Sequence, residues 1–164
     1  VQVDYLDQMV ADRKFKGAKS STLCVPLSGA SYKYLVLAGL GKSKNDEPYV
    51  ENLRRAISGI MRVCEQYSAK TVTVVLPKAQ DFGVTSAYLL EHVAVAAQLA
   101  NHKFDTYLTD AAKKEISLSL NLVLDNSFGD LAQLQATLDK AILIAGAVNR
   151  ARQWIDFDPV PLLT

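Results

Sequence analysis

The stretch YKYLVLAGLGK, residues 32–42, decides the fold. Tyr32, Tyr34, Val36 and Ala38 alternate with Lys33, Leu35 and Leu37, and only Lys33 among them is charged. A strand with apolar side chains on both sides is one that is covered on both faces. TLCVPL (22–27) and the turn-forming SGAS (28–31) precede it, so the two β-rich runs read as a hairpin. Gly39 and Gly41 end the second run and let the chain turn out of the strand.

Downstream of these glycines, Asn45, Asp46 and Pro48 form a helix-start signal, because proline is favoured in a first turn where its missing N–H costs nothing. Leu53, Ala56, Ile57, Ile60, Met61, Cys64 and Tyr67 then recur at steps of three and four, with Glu51, Arg54, Arg55, Arg62, Glu65 and Gln66 mostly turned away. TVTVVLP (71–77) follows as a strand, and strand, helix, strand predicts a crossover with parallel strands. A second helix, from about Thr85 to Asn101, is apolar over most of its circumference and is expected to be sandwiched. ISLSLNLVL (116–124) alternates like a strand with one buried and one wetter face. Ser127 and Asp130 are spaced like a capping box ahead of a helix over 128–155, with Leu131, Leu134, Leu138, Ile142, Ala145 and Val148 on one face. Val3, Leu6, Met9 and Val10 predict a short helix over 3–13 at the start. The sum is an α/β fold: a three-layer domain with a mixed, mostly parallel sheet and helices on both faces. Four strands are expected, with room for a fifth before Val1, and the proline-containing tail DFDPVPLLT reads as the start of a linker.

The chain of 164 residues has the size of one ordinary domain. Its 18 basic and 17 acidic residues leave a formal net charge of +1, so nothing pulls it generally toward nucleic acid or anionic membrane. Cys24 and Cys64 sit among apolar neighbours without a CxxC pair, which points to reduced, buried thiols in a cytoplasmic protein. No run approaches the roughly 18 uninterrupted apolar residues of a membrane span, and Asp4, Asp7, Asp12 and Arg13 make the first residues too polar for a secretory signal.

The loop Gly39-Leu40-Gly41-Lys42-Ser43 invites comparison with phosphate-binding loops. A G-x-x-x-x-G-K-[ST] loop needs its first glycine at position 36, which is Val36 inside the strand, and G-x-G-x-x-G fails at Lys44. Turning the chain is therefore the favoured role. His92 and His102 lie ten residues apart, about 15 Å along a helix, so they do not form a ligand pair. Asp105, Asp110, Asp125 and Asp130 fall at element ends, where carboxylates cap. Arg150 and Arg152 are placed to complement the negative end of the last helix, and Trp154 and Phe157 are candidates for packing or for contacts beyond Thr164. No serine sits in a G-x-S-x-G elbow and neither cysteine has an electropositive setting. The residues assign no catalytic, cofactor-binding or metal-ligating position.

Several stretches, in order, resemble the N-terminal domain of the leucyl aminopeptidase (cytosol aminopeptidase) family. LVLAGLGK (35–42) is similar to its strand-to-turn signature, and RRAISGIMR (54–62) to the helix after it. LLEHVAVAAQLANHKFDTYLT (89–109) resembles the helix leading into a Y-x-F-D-x-Y segment, with Phe104, Asp105 and Tyr107 matching and His102 where Tyr is usual. AGAVNRARQWIDFDPVPLLT (145–164) resembles the helix end and linker, with Gly146, Ala151, Arg152 and Pro159 in register. Gln153 and Trp154 replace the usual Asp-Leu, and Asp156 and Val160 stand at two Asn positions, which implies an interdomain junction built differently here.

The resemblance implies a macro-like α/β domain over 1–150, with 151–164 starting a linker to a C-terminal catalytic domain. That domain, in the family, binds two divalent metals, zinc or manganese, and releases N-terminal residues from peptides through a metal-activated water. Its signature segments N-T-D-A-E-G-R and K-G-x-x-x-D-S-G-G are not in these 164 residues, so the segment alone is expected to be inactive. The implied partners are the catalytic domain of the same chain, peptide substrates and further subunits of a homo-hexamer; no membrane is implied, and nucleic-acid binding, known for some members of the resembled family, is disfavoured by the near-zero net charge. A competing expectation is a free-standing macro-like module for ADP-ribose or a related nucleotide.

Overall fold

The computed structural model describes residues 5–28, 31–42, 49–103, 107, 109 and 118–156. The helix-start signal at 45–48, Ser43, Asp105, Asp110 and Phe157 lie outside them.

The elements in chain order are α1 (Leu6–Asp12), β1 (Thr22–Pro26), β2 (Tyr34–Ala38), α2 (Tyr49–Gln66), β3 (Thr71–Val75), α3 (Ser86–Ala100), β4 (Ser119–Val123) and α4 (Leu131–Asp156). Short 3-10 turns at Ala79–Phe82 and Asn126–Phe128 precede α3 and α4. The chain is α/β, as its periodicities predict.

β1 and β2 form the expected hairpin, antiparallel with Cys24 opposite Val36, and the Leu27 N–H closes its link on the Lys33 carbonyl at 2.9 Å. The Tyr5 hydroxyl just ahead of α1 donates to the Pro26 carbonyl at the end of β1.

The parallel pairing differs from the sequence expectation. Among the described residues β2 does not pair with β3; instead β3 pairs in parallel with β4, Thr73 opposite Asn121, across the crossover that contains α3. The hydrogen bonds thus define two two-stranded sheets. Alternation identifies a strand and its faces, but partner choice is a non-local contest that periodicity does not report. On β4 the leucines at 118, 120, 122 and 124 pack toward the core, while Ser119, Asn121 and Val123 face out, opposite the exposed Val75 of β3.

One core joins the inner face of the β3–β4 sheet to the helices, while the buried Leu23 and Val25 of β1 lie outside it. Val50, Leu53, Ile57 and Met61 of α2, Val74 and Leu76, Leu89, Leu90 and Val93 of α3, and Phe128 with Leu134 form a continuous cluster. α3 lies between α2 and α4, and Leu89, Leu90 and Val93 are 0% exposed. Burying each such side chain stabilises the fold by about 1.5–3 kcal/mol. The sandwiched helix predicted from an apolar circumference is this one.

α4 keeps part of its expected face: Leu134 and Ala145 are buried and Leu138 packs against the core, with Ala141 buried beside them, whereas Leu131 is 77% exposed and Ile142 and Val148 are also exposed. The reason is size. α4 meets α3 through small side chains, Ala141 and Ala145 against a helix with Ala94, Ala96 and Ala97 buried, so larger apolar neighbours flank the seam. By length and composition α4 would also suffice to cross a membrane. It is nonetheless fixed along α3 by the Lys140–Glu91 ion pair (3.0 Å) and by Asn149 and Arg152 further on, which makes it a packed helix of the α/β unit.

Caps follow local chemistry. Thr85 caps α3, its hydroxyl accepting the Tyr88 N–H at 3.2 Å. The capping box expected from Ser127 and Asp130 is replaced by two separate caps. Asp125 accepts from the Ser127 N–H and hydroxyl over the 3-10 turn, and Asp130 accepts the Ala132 N–H at 3.4 Å over α4.

Candidate functional site

The strongest motif in the sequence, the glycine turn after β2, is a packing junction. The Gly39 N–H donates to the Ser21 carbonyl at 2.7 Å and the Gly41 N–H to the Gly17 carbonyl at 2.8 Å. A Cβ on Gly39 would overlap the Ala18 carbonyl oxygen and Ser21 Oγ, and Gly41, at φ +74°, lies against Lys19. Glycine is needed here because two backbone segments touch. A phosphate cradle requires backbone N–H groups aimed at the ligand, and these two are engaged by carbonyls. Lys42 is exposed beside them.

The histidines are separate, as their spacing predicts. His92, on α3, sits edge-on to Tyr88 with ring centres 4.2 Å apart; burial, and secondarily the Arg54 charge, hold its pKa below the usual imidazole range. Nearby on α2, Glu51 pairs with Arg55 (3.0 Å) and Arg54 (3.3 Å), and the Arg55 hydrogen bond chiefly holds its carboxyl below the usual range. His102 lies just past the end of α3, with Nε2 3.8 Å from Asp156 at the end of α4.

That shared end of α3 and α4 is where Arg152 acts. Rather than complementing its own helix terminus, it donates to the Leu99 carbonyl at 3.2 Å, and Asn149 donates to the Gln98 carbonyl at 3.2 Å. Both add to the capping of the C-terminal end of α3, where the Leu99 carbonyl also accepts the His102 N–H at 3.4 Å. Arg150 and Trp154 are exposed.

Cys64 is buried and Cys24 half-buried, and burial raises both thiols' pKa values above the ordinary range. Tyr67 lies beside Cys24, where it works against the upward push of burial on that thiol, and 4.7 Å, ring centre to ring centre, from Tyr34. Sequence reasoning missed this cluster, because period-2 alternation on β1 and β2 and a tyrosine past the last turn of α2 do not announce that they meet. Among the described residues no cation contributes to either thiol's shift in the direction that favours a reactive thiolate.

Among the described residues no group of three or more His, Cys, Asp or Glu side chains is placed to hold a metal ion. Asp125 and Asp130, the two described members of the aspartate set, both serve as caps, and hydrogen bonds from Ser127 hold the Asp125 carboxyl below the usual range. The arrangement is that of an α/β scaffold whose polar groups are spent on caps, ion pairs and chain junctions.

Solved structures share this fold. A tomato leucine aminopeptidase variant superposes with a TM-score of 0.74 at 14% identity, over 94% of this chain and 29% of that one. The bottromycin maturation enzyme BotP, in complex with Mn, gives 0.71 at 18% identity over 93% of this chain and 30% of that one. Residues 3–111 match the sequence profile of the cytosol aminopeptidase family, N-terminal domain. The chain belongs to that family. A probable cytosol aminopeptidase of Synechococcus elongatus is 23% identical over 150 residues, and that of Microcystis aeruginosa 26% over 151, each across 92% of this chain. A probable cytosol aminopeptidase of Aquifex aeolicus is 29% identical over 101 residues, 62% of this chain. The chain spans 28% and 29% of the length of the first two relatives.

Proposed function

We propose that this chain is the non-catalytic N-terminal domain of a longer, di-metal leucyl aminopeptidase, a cytoplasmic hydrolase that releases N-terminal residues from peptides. Residues 1–150 form the domain and 151–164 lead into the linker. The observation that carries the reading is the profile match over residues 3–111 to a domain described as N-terminal, in relatives that run to more than three times the matched length. In this reading two divalent ions, zinc or manganese, belong to the C-terminal catalytic domain. The described residues of this chain present no ligand set to receive them, so no chemical step is assigned to its side chains. Its role is to contribute contacts in a homo-hexamer and to shape access to the active sites.

The test is to express the polypeptide encoded by the extended reading frame and assay leucine p-nitroanilide hydrolysis with Mn or Zn supplied, beside the 164-residue segment. The longer protein is expected to hydrolyse the anilide and the segment to show no metal-dependent turnover. Turnover by the segment alone, or a longer protein without it, overturns the reading. A free-standing macro-like module for ADP-ribose is disfavoured because the Gly39 and Gly41 amides donate to chain carbonyls. Calorimetry with millimolar ADP-ribose is expected to give no binding heat.

A further inference from the structure

Two departures from the family's sequence pattern meet in space. His102, where Tyr is usual, lies just past α3, and Asp156, at an Asn position, is the last residue of α4. His102 Nε2 is 3.8 Å from Asp156 Oδ2, too far for a hydrogen bond but within ion-pair range. The histidine side chain is 18% exposed and the aspartate 42%, so the contact is only partly screened by solvent. Nε2 is itself shielded, and among the described residues it has no hydrogen-bond partner. A shielded nitrogen in that condition carries a desolvation cost that one bond would offset. The backbone beside it is held in place, because the His102 N–H and Arg152 Nη1 both donate to the Leu99 carbonyl and Asn149 donates to the Gln98 carbonyl.

We propose that His102 and Asp156 form a pH-operated clasp: protonation of the imidazole draws the Asp156 carboxylate onto Nε2 and fixes the last turn of α4 against the end of α3. An imidazole changes charge between about pH 5 and 8, a range in which a carboxylate stays ionised. Protonation makes both ring nitrogens donors, and a charge-assisted bond to a carboxylate is about twice as strong as a neutral one. Among the described residues the charged groups around the ring are Asp156 and Arg152 of α4 and Lys103 on its own segment, which Glu65 of α2 engages at 2.7 Å. Arg152 opposes protonation, while the C-terminal ends of α3 and α4 add partial negative charge that favours it. The clasp is therefore open above this pH range and closed below it. A Tyr facing an Asn carries no charge between these limits, so the response belongs to this chain's own pair of residues. It concerns the described helices alone and does not rest on the function proposed above.

The test is hydrogen exchange read by mass spectrometry on the polypeptide of the extended reading frame, at pH 5.5 and pH 8, corrected for intrinsic rates. Protection of the amides at 153–156 is expected to rise at least threefold from pH 8 to pH 5.5. In Asp156→Asn, which keeps the side chain's size and removes its charge, and in His102→Gln, which removes the titrating group, protection is expected to be the same at both. A smaller rise in the unsubstituted protein, or a comparable rise in either variant, overturns the inference.

Discussion

Arg152 Nη1 lies 3.2 Å from the Leu99 carbonyl oxygen, joining the C-terminal turn of α3 to a residue 53 positions later on α4. The bond is a second one to a carbonyl that also accepts the His102 N–H, and it gives an arginine near the end of α4 a partner on another helix. Arg152→Met keeps the aliphatic stem and removes the donor. It is expected to lower stability by about 1 kcal/mol, read by urea unfolding, and to speed amide exchange at 99–103 more than at the start of α3. Uniform exchange along α3 would refute the capping role.

Gly39→Ala is expected to destabilise by about 1–3 kcal/mol, since its methyl meets the backbone of the 17–21 segment, which has no rotamer to yield. Gly146→Ala, in α4 with open space around its Cα, is expected to stabilise by about 0.5–1 kcal/mol. Thermal unfolding of the pair checks both signs, and a Gly39→Ala protein as stable as the parent would show that the two segments do not touch.

Thr85→Ala removes the hydroxyl that accepts the Tyr88 N–H and is expected to cost about 1 kcal/mol, with Thr85→Ser restoring most of it. Equal stability of the Ala and Ser variants would rule out the cap.

His92 gives a pH dependence with a definite sign. Its pKa is lowered in the folded state, first by burial and then by the Arg54 charge, so the unfolded chain binds the proton more readily. Stability is therefore greatest above the ordinary imidazole pKa of about 6.5 and falls as pH drops from there toward the depressed folded value. Urea midpoints at pH 7.5 and pH 5 are expected to differ less in His92→Gln than in the parent. An identical pH slope in the two proteins would show that His92 is not the group responsible.

The elements that periodicity reveals are those whose environment is one-sided or uniform. α2, with Leu53, Ala56, Ile57, Met61 and Cys64 buried in the predicted steps, was readable because one face meets the core and the other water. α3 was readable for the opposite reason, being enclosed between two helices. α4 misleads in part because hydropathy weighs Leu131 and Ile142 above Ala141, while close helix packing selects the small residue. The parallel partner of β3 was illegible because Val72 and Val74 state which face is buried and nothing about which neighbour supplies the ladder. The glycine turn was legible as a turn, but its contact with residues 17–21 is non-local and needed coordinates. Arg152 was legible as a resembled motif position, though its role toward another helix was not.

At about 1.5 Å rise per residue, α4 runs roughly 39 Å beside an α3 of roughly 22 Å, and its last side chain held to α3 by a backbone carbonyl is Arg152. The helix therefore works as an indexed shaft. One residue inserted after Arg152 would leave the hydrogen bonds to α3 in place yet rotate the end of α4 by about 100° and advance it about 1.5 Å, so the direction in which α4 ends is set by a count of residues.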